Sequence, residues 1–118
     1  MKLLNRSAVL LQPLQPYLDW INALPLEVSE LEQPLATGAL NDEGRVYLVD
    51  EFETPAEADE ALAGCWQQLF ENELGAWDEL AVHWPEPLSQ QQLSLWFEIK
   101  AVPLAFDSSN KSLMMAQL

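Results

Sequence analysis

Thr54-Pro55-Ala56-Glu57-Ala58-Asp59-Glu60-Ala61-Leu62-Ala63-Gly64-Cys65-Trp66-Gln67-Gln68-Leu69-Phe70-Glu71-Asn72-Glu73-Leu74-Gly75-Ala76-Trp77 is the stretch that decides the fold. Thr54 suits a helix N-cap, and Pro55 suits the first helical position, where its missing N–H costs nothing. Glu57 stands where its carboxylate can reach back to the Thr54 N–H and complete a capping box. Asp59 and Glu60 place negative charge near the positive end of the helix dipole. Ala58, Leu62, Cys65, Trp66, Leu69 and Phe70 then recur at three- and four-residue steps, while Glu60, Gly64, Gln67 and Glu71 fall on the other side. Gly75 is a natural stop. The spacing predicts one continuous helix of about 20 residues, ~30 Å long. A helix with a single apolar stripe must lie across something, most simply a small sheet.

Glu73 breaks the stripe. It stands four residues after Leu69 and four before Trp77, which puts its carboxylate on the apolar side. One reading is a carboxylate of raised pKa, a candidate general base or ligand. The other is a last-turn Glu that swings out to solvent or accepts hydrogen bonds from the loop after Gly75.

Outward from this stretch, short apolar runs read as strands. Ser7 to Gln12 is the first, with apolar residues on both parities, as expected of a central strand. Arg45 to Asp50 is the second, rich in β-branched and aromatic residues. Phe97 to Val102 alternates, with Phe97, Ile99 and Ala101 facing in, and Pro103 marks an edge or a bulge. Two shorter helices complete the pattern. Tyr17, Trp20, Ile21 and Leu24 share one helical face between Pro16 and Pro25, and Leu88 to Trp96 follows with Ser89 as a cap. Residues 26–44 carry turn chemistry at Thr37-Gly38 and Asn41 to Gly44 and read as a surface loop with at most one helical turn. The expectation is an α+β fold over 1–107, a three-stranded sheet with the long helix packed across it, followed by a flexible tail over 108–118. A parallel pairing of the first two strands is open at this point, as is pairing of a sheet edge with a second copy in a homodimer.

Charge limits the function classes. The 118 residues include 19 acidic and 5 basic side chains, a net charge of -14. Such a surface repels phosphate backbones and anionic membranes, so neither nucleic acid nor membrane is an expected partner. No apolar run approaches the length of a membrane span. The single cysteine, Cys65, excludes a disulfide framework and fits a reducing compartment; the expected localisation is cytoplasmic. Asp50, Glu51, Glu53, Glu57, Asp59 and Glu60 form one acidic cluster. It reads either as solubility and capping, or as a docking patch for a basic protein surface.

No phosphate-binding glycine loop, G-x-S-x-G elbow, zinc spacing, calcium-loop frame or basic–aromatic interleaving is present, and no cofactor is expected. One residual concentration of chemistry remains. Asp78, His83 and the tryptophans Trp77 and Trp84 follow the long helix. They read either as a lined pocket in which Glu73, His83 and Asp78 act as a carboxylate/histidine site, or as a loop pinned by aromatic anchors. Cation binding by Asp50, Glu51 and Glu53 is a third reading.

Asn5-Arg6-Ser7-Ala8, Gln15-Pro16-Tyr17-Leu18-Asp19-Trp20, Tyr47-Leu48, the segment Glu71 to Trp77, Trp84-Pro85 and Trp96-Phe97 occur in this order. In that order they resemble a group of small acidic bacterial proteins with no assigned activity. The resemblance covers roughly residues 5–106 and implies a bacterial cytoplasmic α+β domain; it brings no catalytic residue. The leading expectation is a non-enzymatic interaction protein. Its expected contact residues are the six clustered acids with Trp77 and Trp84.

Overall fold

The computed structural model describes residues 1–118. It is a mixed α+β fold of five helices and two sheets. In chain order the elements are β1 (Lys2–Leu3), β2 (Ser7–Pro13), α1 (Gln15–Ala23), α2 (Leu26–Ser29), β3 (Arg45–Val49), α3 (Pro55–Ala63), α4 (Trp66–Gly75), α5 (Gln90–Trp96), β4 (Phe97–Val102) and β5 (Phe106–Asp107). The three-stranded sheet has the order β3-β2-β4, and both pairings are antiparallel. The most apolar run of the sequence is therefore the central strand. The parallel alternative for β2 and β3 is not used. β1 and β5 form a separate two-stranded ribbon, with Lys2 opposite Asp107 and Leu3 opposite Phe106.

The register divides the sheet into two faces. Val9 opposes Tyr47 and Ala101, and Leu11 opposes Arg45 and Ile99. This face meets the helices, where Val9, Leu11, Tyr17, Ile21, Val49, Phe52, Leu69, Phe70, Leu74, Leu93 and Phe97 form the core. Aromatic rings lock the layers: Tyr17 lies 4.7 Å from Phe97, and Phe70 meets Trp96 edge-on at 5.6 Å. Inward burial along β4 fades from Phe97 to Ile99 and is gone at Ala101, where the strand has run past the helices. The other face carries Ala8, Leu10, Val46, Leu48 and Val102 and has no helix over it; Leu48 is 51% exposed.

The single long helix is corrected by the structure: it is two helices. The start is as the cap chemistry predicts, since Thr54 Oγ1 accepts the Glu57 N–H at 3.2 Å. The Glu57 carboxylate reaches one residue further back than a capping box requires and accepts the Glu53 N–H at 2.9 Å. α3 then ends at Gly64. The Cys65 N–H bonds Leu62 O, a tightened turn, and Cys65 adopts φ -137°, ψ -1° before α4 restarts with Leu69 N–H on Cys65 O. The Cys65 thiol donates to Ala61 O at 3.2 Å, which occupies the carbonyl that the missing helical bond would have left without a donor. The packing explains the break. α3 grazes the core with the half-buried Ala58, Ala61 and Leu62, whereas α4 sinks Leu69, Phe70, Glu73 and Leu74 into it. Each half follows its own depth. Gly75 closes α4, and Ala76 continues in right-handed geometry.

Three polar side chains fix the loops that the sequence leaves unread. Ser7 is 1% exposed. Its Oγ accepts the Phe52 N–H at 2.9 Å and donates to Pro103 O at 2.8 Å, tying the start of β2 to the segments after β3 and β4. On the other side, Gln12 Nε2 donates to Leu40 O and Asn41 O, and Asn22 holds Leu35 through both its N–H and its carbonyl. Residues 35–41 are thereby folded back against the sheet. No helix is long and apolar enough to cross a membrane.

Candidate functional site

Glu73 sits on the inner face of α4 and is 2% exposed. It neither swings out nor accepts from the loop after Gly75. It turns toward β3, where the Tyr47 hydroxyl donates to its Oε2 and Arg45 Nη1 approaches the same oxygen to 3.6 Å. Asn72 Nδ2 in turn donates to the Tyr47 hydroxyl oxygen at 3.0 Å, and the Tyr17 hydroxyl donates to the Glu73 carbonyl at 2.6 Å. Three polar side chains from two elements, β3 and α1, thus converge on one residue of α4, with Asn72 bonded behind Tyr47. Burial pushes the Glu73 carboxyl above its ordinary range, while the Tyr47 hydrogen bond and Arg45 pull it back down. Burial likewise pushes Tyr47 up to about 12, and raises Tyr17 further still, with the Glu73 charge adding to both.

Beside Glu73 lies a cavity of about 330 Å³. Tyr17 and Trp77 supply aromatic walls, Leu35 and Leu40 an aliphatic one, and Glu43 and Arg45 stand with Glu73 as the charged groups. The aliphatic wall belongs to the segment that Gln12 and Asn22 fold back. Gly44 lies close against this contact: an added Cβ would stand 2.7 Å from Gln12 Oε1, and the Gln12 side chain would have to shift.

The other candidates fall elsewhere. Asp78 is 3% exposed and accepts the His83 backbone N–H at 2.6 Å; its carboxylate also lies 3.5 Å from His83 Nδ1. Trp84 Nε1 donates to Asp78 O, and Trp20 Nε1 donates to His83 O. Asp78, His83 and Trp84 therefore tie the loop after α4 to itself and to α1. The structure joins Asp78 to His83, but no hydrogen bond or ion pair joins either to Glu73, and neither lines its cavity. Of the two tryptophans, Trp77 lines that cavity and Trp84 packs over Gly75.

The six clustered acids are all exposed. Two of them, Asp50 and Glu60, line a cleft of about 330 Å³ with Leu48, Leu69 and Cys65, located at the break between α3 and α4. Burial, with the Asp50 charge, pushes the Cys65 thiol above its ordinary value. The cleft continues past Leu48, Gln68 and Leu69 into a second hollow bounded by Glu71, Asn72 and residues 116–118. The two together form a groove between β3 and the α3–α4 pair. Asp50, Glu51 and Glu53 do not draw together as cation ligands: no group of three or more His, Cys, Asp or Glu side chains is placed to hold a metal ion.

Tyr47, Arg45, Tyr17 and Glu43 were not among the sequence candidates. A usable signal existed for two of them. Arg45, Tyr47 and Val49 share a strand parity, so an inward Val49 carries Arg45 inward too, an unusual place for one of only 5 basic residues. No family model matches the chain, and neither a curated protein nor a solved structure matches it.

Proposed function

We propose that the chain is a non-enzymatic interaction module that takes an extended, basic polypeptide segment along the outer edge of β3. One observation carries this reading. β3 pairs only with β2, no other backbone hydrogen bond involves its residues, and its free edge borders the groove holding Asp50, Glu60 and Glu71. An open strand edge is a template for a further strand, and natural proteins usually blunt it with Lys, Pro or a covering element. Arg45-Val46-Tyr47-Leu48-Val49 contains neither Lys nor Pro. In strand addition the main chain supplies affinity and alternate side chains supply selectivity. Here Leu48 and Leu69 offer apolar contacts, while the three carboxylates and the net charge of -14 favour positive side chains. Residues 116–118 lie at one end of the groove and would have to share it.

The reading is tested with an alternating Lys–Val peptide and its Glu–Val counterpart, titrated at low and moderate salt. Binding of the basic peptide alone, weakened by salt and by Asp50→Lys with Glu60→Lys, is the expected result. Failure to bind at either ionic strength, or equal binding of the acidic peptide, removes the proposal.

A further inference from the structure

We propose that the cavity between α1, α4 and the folded-back segment 35–43 is a binding site for a small organic cation, a primary ammonium carried on an apolar body. It shares no lining residue with the β3 groove, so the two sites stand or fall separately.

The first argument is an acceptor left without a donor. The Glu73 side chain is 3% exposed and lines the cavity. Both of its polar side-chain contacts, from Tyr47 and Arg45, fall on Oε2, and Oε1 accepts no hydrogen bond. Oε1 is not among the fully buried unpaired atoms, so it keeps contact with solvent, and an ammonium in the cavity takes the place of that contact. The second argument is charge. Two carboxylates, Glu43 and Glu73, face one guanidinium, Arg45, so the lining favours a cation and an anion would add to an existing excess. Arg45 does not fill the role itself, since it stays beyond hydrogen-bond distance and leaves Oε1 untouched. The third argument is the wall. Tyr17 and Trp77 present aromatic rings, against which an ammonium is stabilised, and Leu35 and Leu40 receive a hydrocarbon body. The volume, about 330 Å³, lies near the lower bound for ligand cavities and suits a molecule of amine-on-ring size. The wall is built and not incidental: Asn22 and Gln12 hold it in place with side-chain hydrogen bonds.

Affinity for such a cation is expected to rise with pH, because seating an ammonium on Glu73 requires the carboxylate. The groups that face it are Tyr47 and Arg45 from β3, Tyr17 from α1, and Glu43 from the loop; burial holds both tyrosine hydroxyls protonated across the acidic to neutral range, so neither adds a charge there.

The test is an NMR titration with 2-phenylethylamine, read at the Trp77 indole and the Leu35 and Leu40 amides, with 2-phenylethanol and 3-phenylpropionate as neutral and anionic matches. The amine is expected to shift these signals at about 1 mM, and Glu73→Gln and Glu43→Gln each to weaken it about tenfold. Glu43 is exposed, so its variant reads the site even where the Glu73 variant perturbs the fold. A capped lysine peptide in place of the amine shows whether the cation arrives free or on a polypeptide. No shift with either cation, equal binding of the alcohol or the acid, or unchanged affinity in folded Glu43→Gln overturns the proposal.

Discussion

The Tyr47 hydroxyl on β3 donates to the carboxyl of Glu73 on α4, and so joins the edge strand to the deeper half of the helix pair. Tyr47→Phe removes the only side-chain hydrogen bond to that buried carboxyl and leaves Asn72 without its acceptor. It is expected to cost about 1–3 kcal/mol, measured by denaturant unfolding, because an unpaired buried acceptor retains its full desolvation penalty. A loss below a few tenths would show that the contact contributes nothing.

The same carboxyl sets a pH dependence. Glu73 is raised in the folded state above its ordinary 4.5, so the native protein binds its proton more tightly than the unfolded chain. Its contribution to stability is full below the unfolded value and is lost as pH rises through the folded value. The melting temperature of the wild type minus that of Glu73→Gln is therefore expected to be larger at about pH 4 than at about pH 8. A difference that is flat, or that grows with pH, contradicts the assignment. The comparison with the Gln variant cancels the repulsion among the other acids, which also changes over this range.

How much of this was legible follows the range of the interactions. Thr54 and Ser89 cap helices through neighbours three residues away, and both caps are found. The three main strands were readable because β-branched and aromatic residues crowd into short runs. The break at Gly64 and Cys65 was not, because the apolar stripe keeps its phase across it: Leu62, Cys65, Trp66 and Leu69 still share a side. The available hint was a mid-helix glycine, which disfavours helix by about 1 kcal/mol relative to alanine. Glu73 could be placed on the apolar side from spacing alone. Its partners could not, since Tyr47 is 26 residues away in sequence and Tyr17 is 56. Residues 35–41 were illegible for the same reason: Gln12 and Asn22, not local propensity, set their path.

Ser7 carries two bonds between distant segments. Ser7→Ala leaves the Phe52 N–H and Pro103 O without their side-chain partner in a buried position. We expect a loss of about 1–3 kcal/mol in equilibrium unfolding, together with faster amide exchange at Phe52. Unchanged exchange at Phe52 would place its hydrogen bond elsewhere.

Two glycines predict opposite signs for one substitution. Gly64 has φ -80°, and an added Cβ would meet only the Ala61 and Glu60 carbonyls at 3.6 and 3.7 Å. Gly64→Ala should raise stability by about 0.4–1 kcal/mol by restricting the unfolded chain. Gly44→Ala should lower it by about 1–3 kcal/mol, because Gln12 must move and release the segment it holds. Denaturant midpoints of the two variants decide the matter, and equal shifts of one sign would mean that the close approach at Gly44 is not a constraint.

Asp78 and His83 separate a structural contact from a chemical one. The Asp78 carboxylate accepts the His83 backbone N–H, a bond that any residue at position 83 except proline would make. The His83 side chain is 37% exposed and stands 3.5 Å from that carboxylate, a contact screened by water. If the pair serves to close the loop, Asp78→Ala loses about 1–3 kcal/mol, while His83→Ala stays within about 0.5 kcal/mol of the wild type in thermal or denaturant unfolding. The indole of Trp84 gives a local readout, since its Nε1 donates to the Asp78 carbonyl at 2.9 Å. Its fluorescence should shift in Asp78→Ala and hold steady in His83→Ala. Equal losses in the two variants would show that the imidazole, and not the backbone it is attached to, is what the buried carboxylate is placed to meet.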